Sequence, residues 1–117
     1  MLDAPDPIKL RKAAFLALRD EWVDYVNQCD QLSHATTRVG TFIALRIDAQ
    51  KQFSYWPVDR IAKMLPSPSK TGKSRRMSTK TVTVAIAELV RAGLLLVDRP
   101  NRRANHRYRI RLPQFEK

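Results

Sequence analysis

The chain has 117 residues, 44% of them hydrophobic, which suits one packed domain with at most an appended helix. Its 22 Lys and Arg against 11 Asp and Glu leave a net charge of +11, which points to a polyanionic partner. A single cysteine, Cys29, excludes an internal disulfide framework, and no stretch approaches the ~20 apolar residues of a membrane span.

The charge is lopsided. Residues 1–59 hold seven Lys/Arg and eight Asp/Glu, a net of −1, whereas residues 60–117 hold fifteen against three, a net of +12. Charge carried for solubility alone would be interspersed. Clustering of this kind is the footprint expected of a nucleic-acid contact. The opening Met1-Leu2-Asp3-Ala4-Pro5-Asp6 has neither a basic nor an apolar region, so a reducing, cytoplasmic setting is expected.

Asp6 can cap a helix and Pro7 suits its first turn, so a first helix is predicted over residues 8–29. Phe15, Leu18, Trp22, Tyr25 and Val26 recur at spacings of three and four and predict one inward face. Ile8, Phe15, Leu18, Trp22, Tyr25, Cys29 and Leu32 also fit a heptad seam. Two readings follow. The face packs on the chain's own core, or residues 1–35 form a dimerisation element and residues 36–117 the working domain.

Thr36 or Thr37 can cap a second helix to about residue 50, with Val39, Phe42, Ile43 and Ile47 inward. Ser54-Tyr55-Trp56 is too short for an independent strand but can add an edge to a small sheet. Pro57 opens a third helix to about residue 65, with Val58, Ile61, Ala62 and Leu65 inward. Residues 66–77 read as a linker, broken by two prolines and a glycine. It carries Lys70, Lys73, Arg75 and Arg76 and no acid.

Ser78 caps a fourth helix, whose inward face is Val82, Ala85, Ile86, Leu89 and Val90. Gly93 ends it, since glycine enters the left-handed region freely. Thr79, Lys80, Thr83, Ala87 and Arg91 are left facing outward. Residues 94–98 and 106–112 then form a hairpin. Tyr108, Ile110 and Leu112 share one face, and Arg107, Arg109 and Arg111 the other, because side chains alternate along a strand. Arg99, Arg102 and Arg103 lie at the intervening turn.

This ordered set resembles the bacterial winged helix-turn-helix DNA-binding family over about residues 37–112. The resemblance is carried by Ser78-x-x-Thr81-Val82-x-x-Ala85-Ile86-x-x-Leu89-x-x-Ala92-Gly93-Leu94-Leu95, by Asn105-x-x-Tyr108-x-Ile110, and upstream by Trp56-Pro57-Val58-x-x-Ile61-Ala62. It implies a mainly α fold: a three-helix core with a two- or three-stranded wing, preceded here by an additional helix. It further implies that Ser78, Thr79, Lys80 and Thr83 lie on a recognition helix at a major groove, where lysine can donate to guanine and threonine can touch a base edge or thymine methyl. Arg99, Arg102, Arg103, Arg107, Arg109 and Arg111 are implied wing contacts to phosphate or minor groove. The blander readings are a solvated helix face and a charged strand edge that blocks aggregation.

One departure stands out. The helix-turn-helix turn often has three or four residues, and here twelve separate Leu65 from Ser78. The basic loop either orders on phosphate or stays solvated.

Other chemistries find little support. Gly72-Lys73-Ser74 suggests a phosphate loop, but Ser67 stands where that motif needs glycine, and no buried strand precedes it. His34 and His106 lack partners at metal-ligand spacing, and no nucleophile–base pair emerges. No enzyme, no cofactor, no metal and no small-molecule ligand is therefore expected. The expected partner is double-stranded DNA, with a small transcriptional regulator as the leading role. The alternatives are a DNA-binding module of a plasmid- or phage-type replication initiator and a winged-helix protein-interaction module for an acidic protein.

Overall fold

A computed structural model describes residues 6–66, 76–98 and 106–112. In chain order these form α1 (Pro7–Gln28), α2 (His34–Leu45), α3 (Val58–Met64), α4 (Thr79–Arg91), β1 (Leu95–Asp98) and β2 (Arg107–Ile110). The protein is mainly helical, with one small two-stranded antiparallel sheet.

Local chemistry sets most helix ends. The Asp6 carboxylate accepts from the Ile8 N–H at 3.0 Å, with Pro7 in the first turn of α1. Helix α2 starts earlier than Thr36 or Thr37 predict, because Ser33 takes the cap and its Oγ accepts from the Thr36 N–H at 3.1 Å. Thr36 is instead buried, and its hydroxyl donates to Glu88 Oε2 on α4 at 3.0 Å, tying the two helices together. Helix α2 also ends at Leu45 rather than near residue 50. The Asp48 carboxylate accepts from the Gln50 and Lys51 N–H groups, offering the backbone a turn in place of another helical one. Gln52, in the left-handed region at φ 65°, turns the chain out of that loop.

Ser78 caps α4 by accepting from the Thr81 N–H at 3.1 Å. At the other end Gly93 takes φ 77°, its N–H reaches Val90 O, and the Leu94 N–H reaches Leu89 O. This pair of bonds is the glycine-closed helix terminus known as the Schellman motif, and it aims the chain straight into β1.

The core is continuous across all of these elements. Phe15, Trp22 and Val26 of α1 share it with Val39, Phe42 and Ile43 of α2, Ile61 and Ala62 of α3, and Val82, Ala85, Ile86 and Leu89 of α4. Burial of each large aliphatic side chain is worth ~1.5–3 kcal/mol, so packing rather than intrinsic helicity holds these short helices. Gly40 lets α2 pass close to α1 and α4: a Cβ there would lie 3.0 Å from Trp22 Cη2 and 3.2 Å from Leu89 Cδ1.

The α1 face packs on the chain's own core, but not at every position predicted inward. Trp22 is fully buried, whereas Tyr25 is exposed and Leu18 only partly buried. Ile8, which opens the heptad seam, is also exposed. Val90 of α4, expected inward, is exposed in the last turn of the helix, one residue before its end at Arg91.

In the sheet Leu95 pairs with Ile110 and Asp98 with Arg107. Ser54 adds one bridge on the far side of β2, exchanging two backbone hydrogen bonds of 3.0 and 2.7 Å with Tyr108. The edge predicted at residues 54–56 is thus a single bridge. Pro66 and Arg76 are likewise bridged, and the Met77 N–H reaches Leu65 O at 2.8 Å. Met77 itself is buried, which its place in a predicted linker did not suggest.

Candidate nucleic-acid interface

The outward face of α4 is built by subtraction. Val82, Ala85, Ile86 and Leu89 commit one side of the helix to the core, and Thr79, Lys80, Thr83, Ala87 and Arg91 remain exposed. Two of the hydroxyls expected to be available are spent locally. Ser78 Oγ serves the helix cap and lies 2.8 Å from Thr81 Oγ1. Thr83 Oγ1 donates to the Thr79 carbonyl at 2.9 Å, which leaves its methyl and its lone pairs facing outward but no free proton. Thr79 and Lys80 are therefore the side chains in the first turn of this face whose donors are open.

The strand β2 presents its two faces as its alternation dictates. Tyr108 and Ile110 turn into the core, while Arg109 is exposed and Arg107 half-buried. Burial in the core holds the Tyr108 hydroxyl above its ordinary value of 10.0. Arg107 and Arg109 do not hang free. The Arg107 guanidinium stands 4.7 Å and the Arg109 guanidinium 5.6 Å from the centre of the Phe53 ring. The Ser54–Tyr108 bridge makes this contact, because it brings Phe53 to the arginine-bearing face of β2. A guanidinium stacked on a ring keeps its charge and its donors while losing rotamer freedom in advance. Arg111 is half-buried, and its backbone is structural: its N–H donates to Leu94 O, and its carbonyl accepts from the Trp22 indole at 3.1 Å.

Phe53 belongs to this candidate interface, and sequence reasoning missed it. The signal was present as two aromatic residues, Phe53 and Tyr55, two apart in a segment next to an arginine strand. A second such contact sits beside it: the Arg46 guanidinium lies 3.7 Å above the Phe42 ring and 5.6 Å from Trp56, with Arg60 at 5.8 Å from Trp56.

Of the basic-loop residues, Arg76 is exposed next to its bridge with Pro66, whereas Lys70, Lys73 and Arg75 lie outside the described residues. So do Arg99, Arg102 and Arg103 of the turn between the strands. Among the described residues no group of three or more His, Cys, Asp or Glu is arranged to hold a metal ion. No described helix is long and apolar enough to cross a membrane. Comparison with known protein families, with curated proteins and with solved structures finds no match to this chain.

Proposed function

We propose that the chain is a duplex DNA-binding protein of winged helix-turn-helix architecture, with α4 at the major groove and the β1–β2 hairpin as its wing. The element order supports the architecture: a helix, a bridging segment, two further helices with the last one capped by Ser78, then an antiparallel hairpin. The observation that carries the reading is the coincidence of charge with exposure. Lys80 on the outer face of α4, and Arg107 and Arg109 on the outer face of β2, belong to the half of the chain with a net charge of +12. Arginines and lysines on phosphate supply most of the affinity, and Thr79 and Lys80 supply the base reading. A mismatch at a read base typically costs ~1–3 kcal/mol, and the low end is expected here because Ser78 Oγ is engaged in the helix cap and Thr83 has committed its hydroxyl proton.

The role proposed is a small transcriptional regulator acting as a homodimer through α1. The dimer surface is the part of α1 that the core does not use: Ile8 and Leu10 are 53% and 55% exposed, and Leu16 is also exposed. A two-fold protein would take half-sites about one helical turn apart. Sedimentation of the wild type against Ile8→Glu/Leu10→Glu tests this part, with a monomeric wild type as the contradicting result.

The DNA reading is tested by fluorescence anisotropy with random-sequence duplex at two salt concentrations. The expected result is binding that weakens steeply with salt, with a log–log slope of about 0.9 per phosphate neutralised. Absence of binding at low salt would overturn it and leave an acidic protein as the partner of the basic hairpin.

A further inference from the structure

A second feature lies beside the Ser54–Tyr108 bridge, next to the arginines of β2. A cleft of about 350 Å³ opens between the end of α2 and the bridging segment, lined by Arg46, Asp48, Phe53, Ser54, Tyr55 and Trp56. Its volume falls at the lower end of the ~300–1,000 Å³ of small-ligand sites. We infer that this cleft holds an unpaired base of single-stranded nucleic acid, stacked on Tyr55 with its phosphate on Arg46.

Three observations carry the inference. Tyr55 is 52% exposed although it is large and aromatic, and its ring is steadied by Phe53, whose ring centre lies 6.0 Å away at a tilt of 48°. Such a ring offers a face to any base, because every base has a π-face. The charge around it is positive and fixed. Arg46 is stacked on Phe42 at one side, and Arg107 and Arg109 are stacked on Phe53 at the other. The rim also carries one carboxylate, Asp48, which accepts from the Lys51 and Gln50 N–H groups and stays ionised, one negative charge against the three arginines. Ser54, finally, is 2% exposed, and its Oγ has no hydrogen-bond partner among the described residues. Buried hydroxyls are normally satisfied, so a small movement of the cleft wall would offer this one to an incoming base edge.

The alternating basic and aromatic groups distinguish this occupant from a duplex, whose bases are stacked on each other and present no free face. A protein carrying both sites can hold a duplex and an adjacent melted strand at once. The inference goes beyond the duplex reading and does not require it, since the two sites use different side chains except for Arg107 and Arg109.

The test uses the full chain and three probes: an oligothymidylate of about ten nucleotides, an abasic strand of the same length, and a random duplex. The thymidylate is expected to quench Trp56, which lines the cleft, and to bind about five- to 150-fold more tightly than the abasic strand. Tyr55→Ala is expected to remove that difference while leaving duplex affinity unchanged, and Tyr55→Phe to retain it. Tyr55 is exposed, so neither change should threaten folding. Equal affinity for thymidylate and abasic strands, or full thymidylate affinity in Tyr55→Ala, would overturn the inference while leaving duplex binding standing. Thymidylate binding with no duplex binding would support it and defeat the duplex reading instead.

Discussion

Trp22→Phe isolates the joint between the first helix and the hairpin. The indole N–H of fully buried Trp22 donates to Leu94 O at 2.9 Å and to Arg111 O at 3.1 Å, so one side chain of α1 pins both ends of the sheet's base. Phenylalanine keeps an aromatic ring and removes the donor. Leu94 O still accepts from the Arg111 N–H at 3.0 Å, so the loss falls mainly on the Arg111 carbonyl. A lost intramolecular hydrogen bond costs ~0.5–1.5 kcal/mol. A smaller ring also leaves a void, so we expect a total of about 2–3 kcal/mol. Against a typical stability of ~5–15 kcal/mol this is a large fraction. With a urea m-value near ~2 kcal/mol/M the midpoint should fall by about 1–1.5 M. Far-UV circular dichroism is the appropriate probe, because the substitution itself removes a fluorophore. An unchanged midpoint, or a loss under about 0.5 kcal/mol, would refute the claim that α1 is fastened to the sheet through this group.

Gly40→Ala sets two effects against each other. Alanine gains ~1 kcal/mol of helix propensity, but its Cβ would press on Trp22 and Leu89, which are fully buried, and overpacking costs ~1–3 kcal/mol. Net destabilisation is expected by thermal unfolding, and a raised Tm would contradict the packing. The Tyr108 hydroxyl is held above 10.0 by burial, so the neutral form is favoured in the folded state. That contribution is complete below the ordinary phenol value and is lost as pH rises through the raised one. Urea midpoints of the wild type should fall more between about pH 9 and pH 11 than those of Tyr108→Phe, and parallel curves would contradict this. Phe53→Leu removes the ring beneath Arg107 and Arg109, and each such contact is worth ~0.5–1 kcal/mol at an exposed site. Duplex affinity by anisotropy should fall about two- to fivefold with the fold intact, and unchanged affinity would show that pre-ordering these arginines contributes nothing.

What was legible in the sequence was governed by local rules. Asp6-Pro7, Ser78 and Gly93 each fix a helix end through their own backbone or side-chain chemistry, and all three act where the sequence predicts. The inward face of α2, and that of α4 except at Val90, follow from period alone, and alternation assigns Tyr108 and Ile110 to the core. The misses arise where a second interaction, local or distant, competes with the pattern. Thr36 looks like a cap, yet its hydroxyl is claimed by Glu88, far along the chain, and Ser33 takes over. Asp48 ends α2 early through a local turn that competes with the helical pattern. Tyr25 and Val90 fit the helical spacing, but a small core has no second layer to cover them. At the site, the outward positions of Thr79 and Lys80 were readable. The loss of the Thr83 proton to Thr79 O was not, and neither was the stacking of Arg107 and Arg109 on Phe53, which depends on one bridge between Ser54 and Tyr108.

The most direct test of the duplex-binding account is an amide chemical-shift map of the full chain titrated with a short random duplex at low salt. The largest shifts are expected on Thr79, Lys80 and Thr83 of α4 and on Arg107 and Arg109 of β2, receding together as salt is raised. Shifts confined to α1, or no shifts at all, would contradict it.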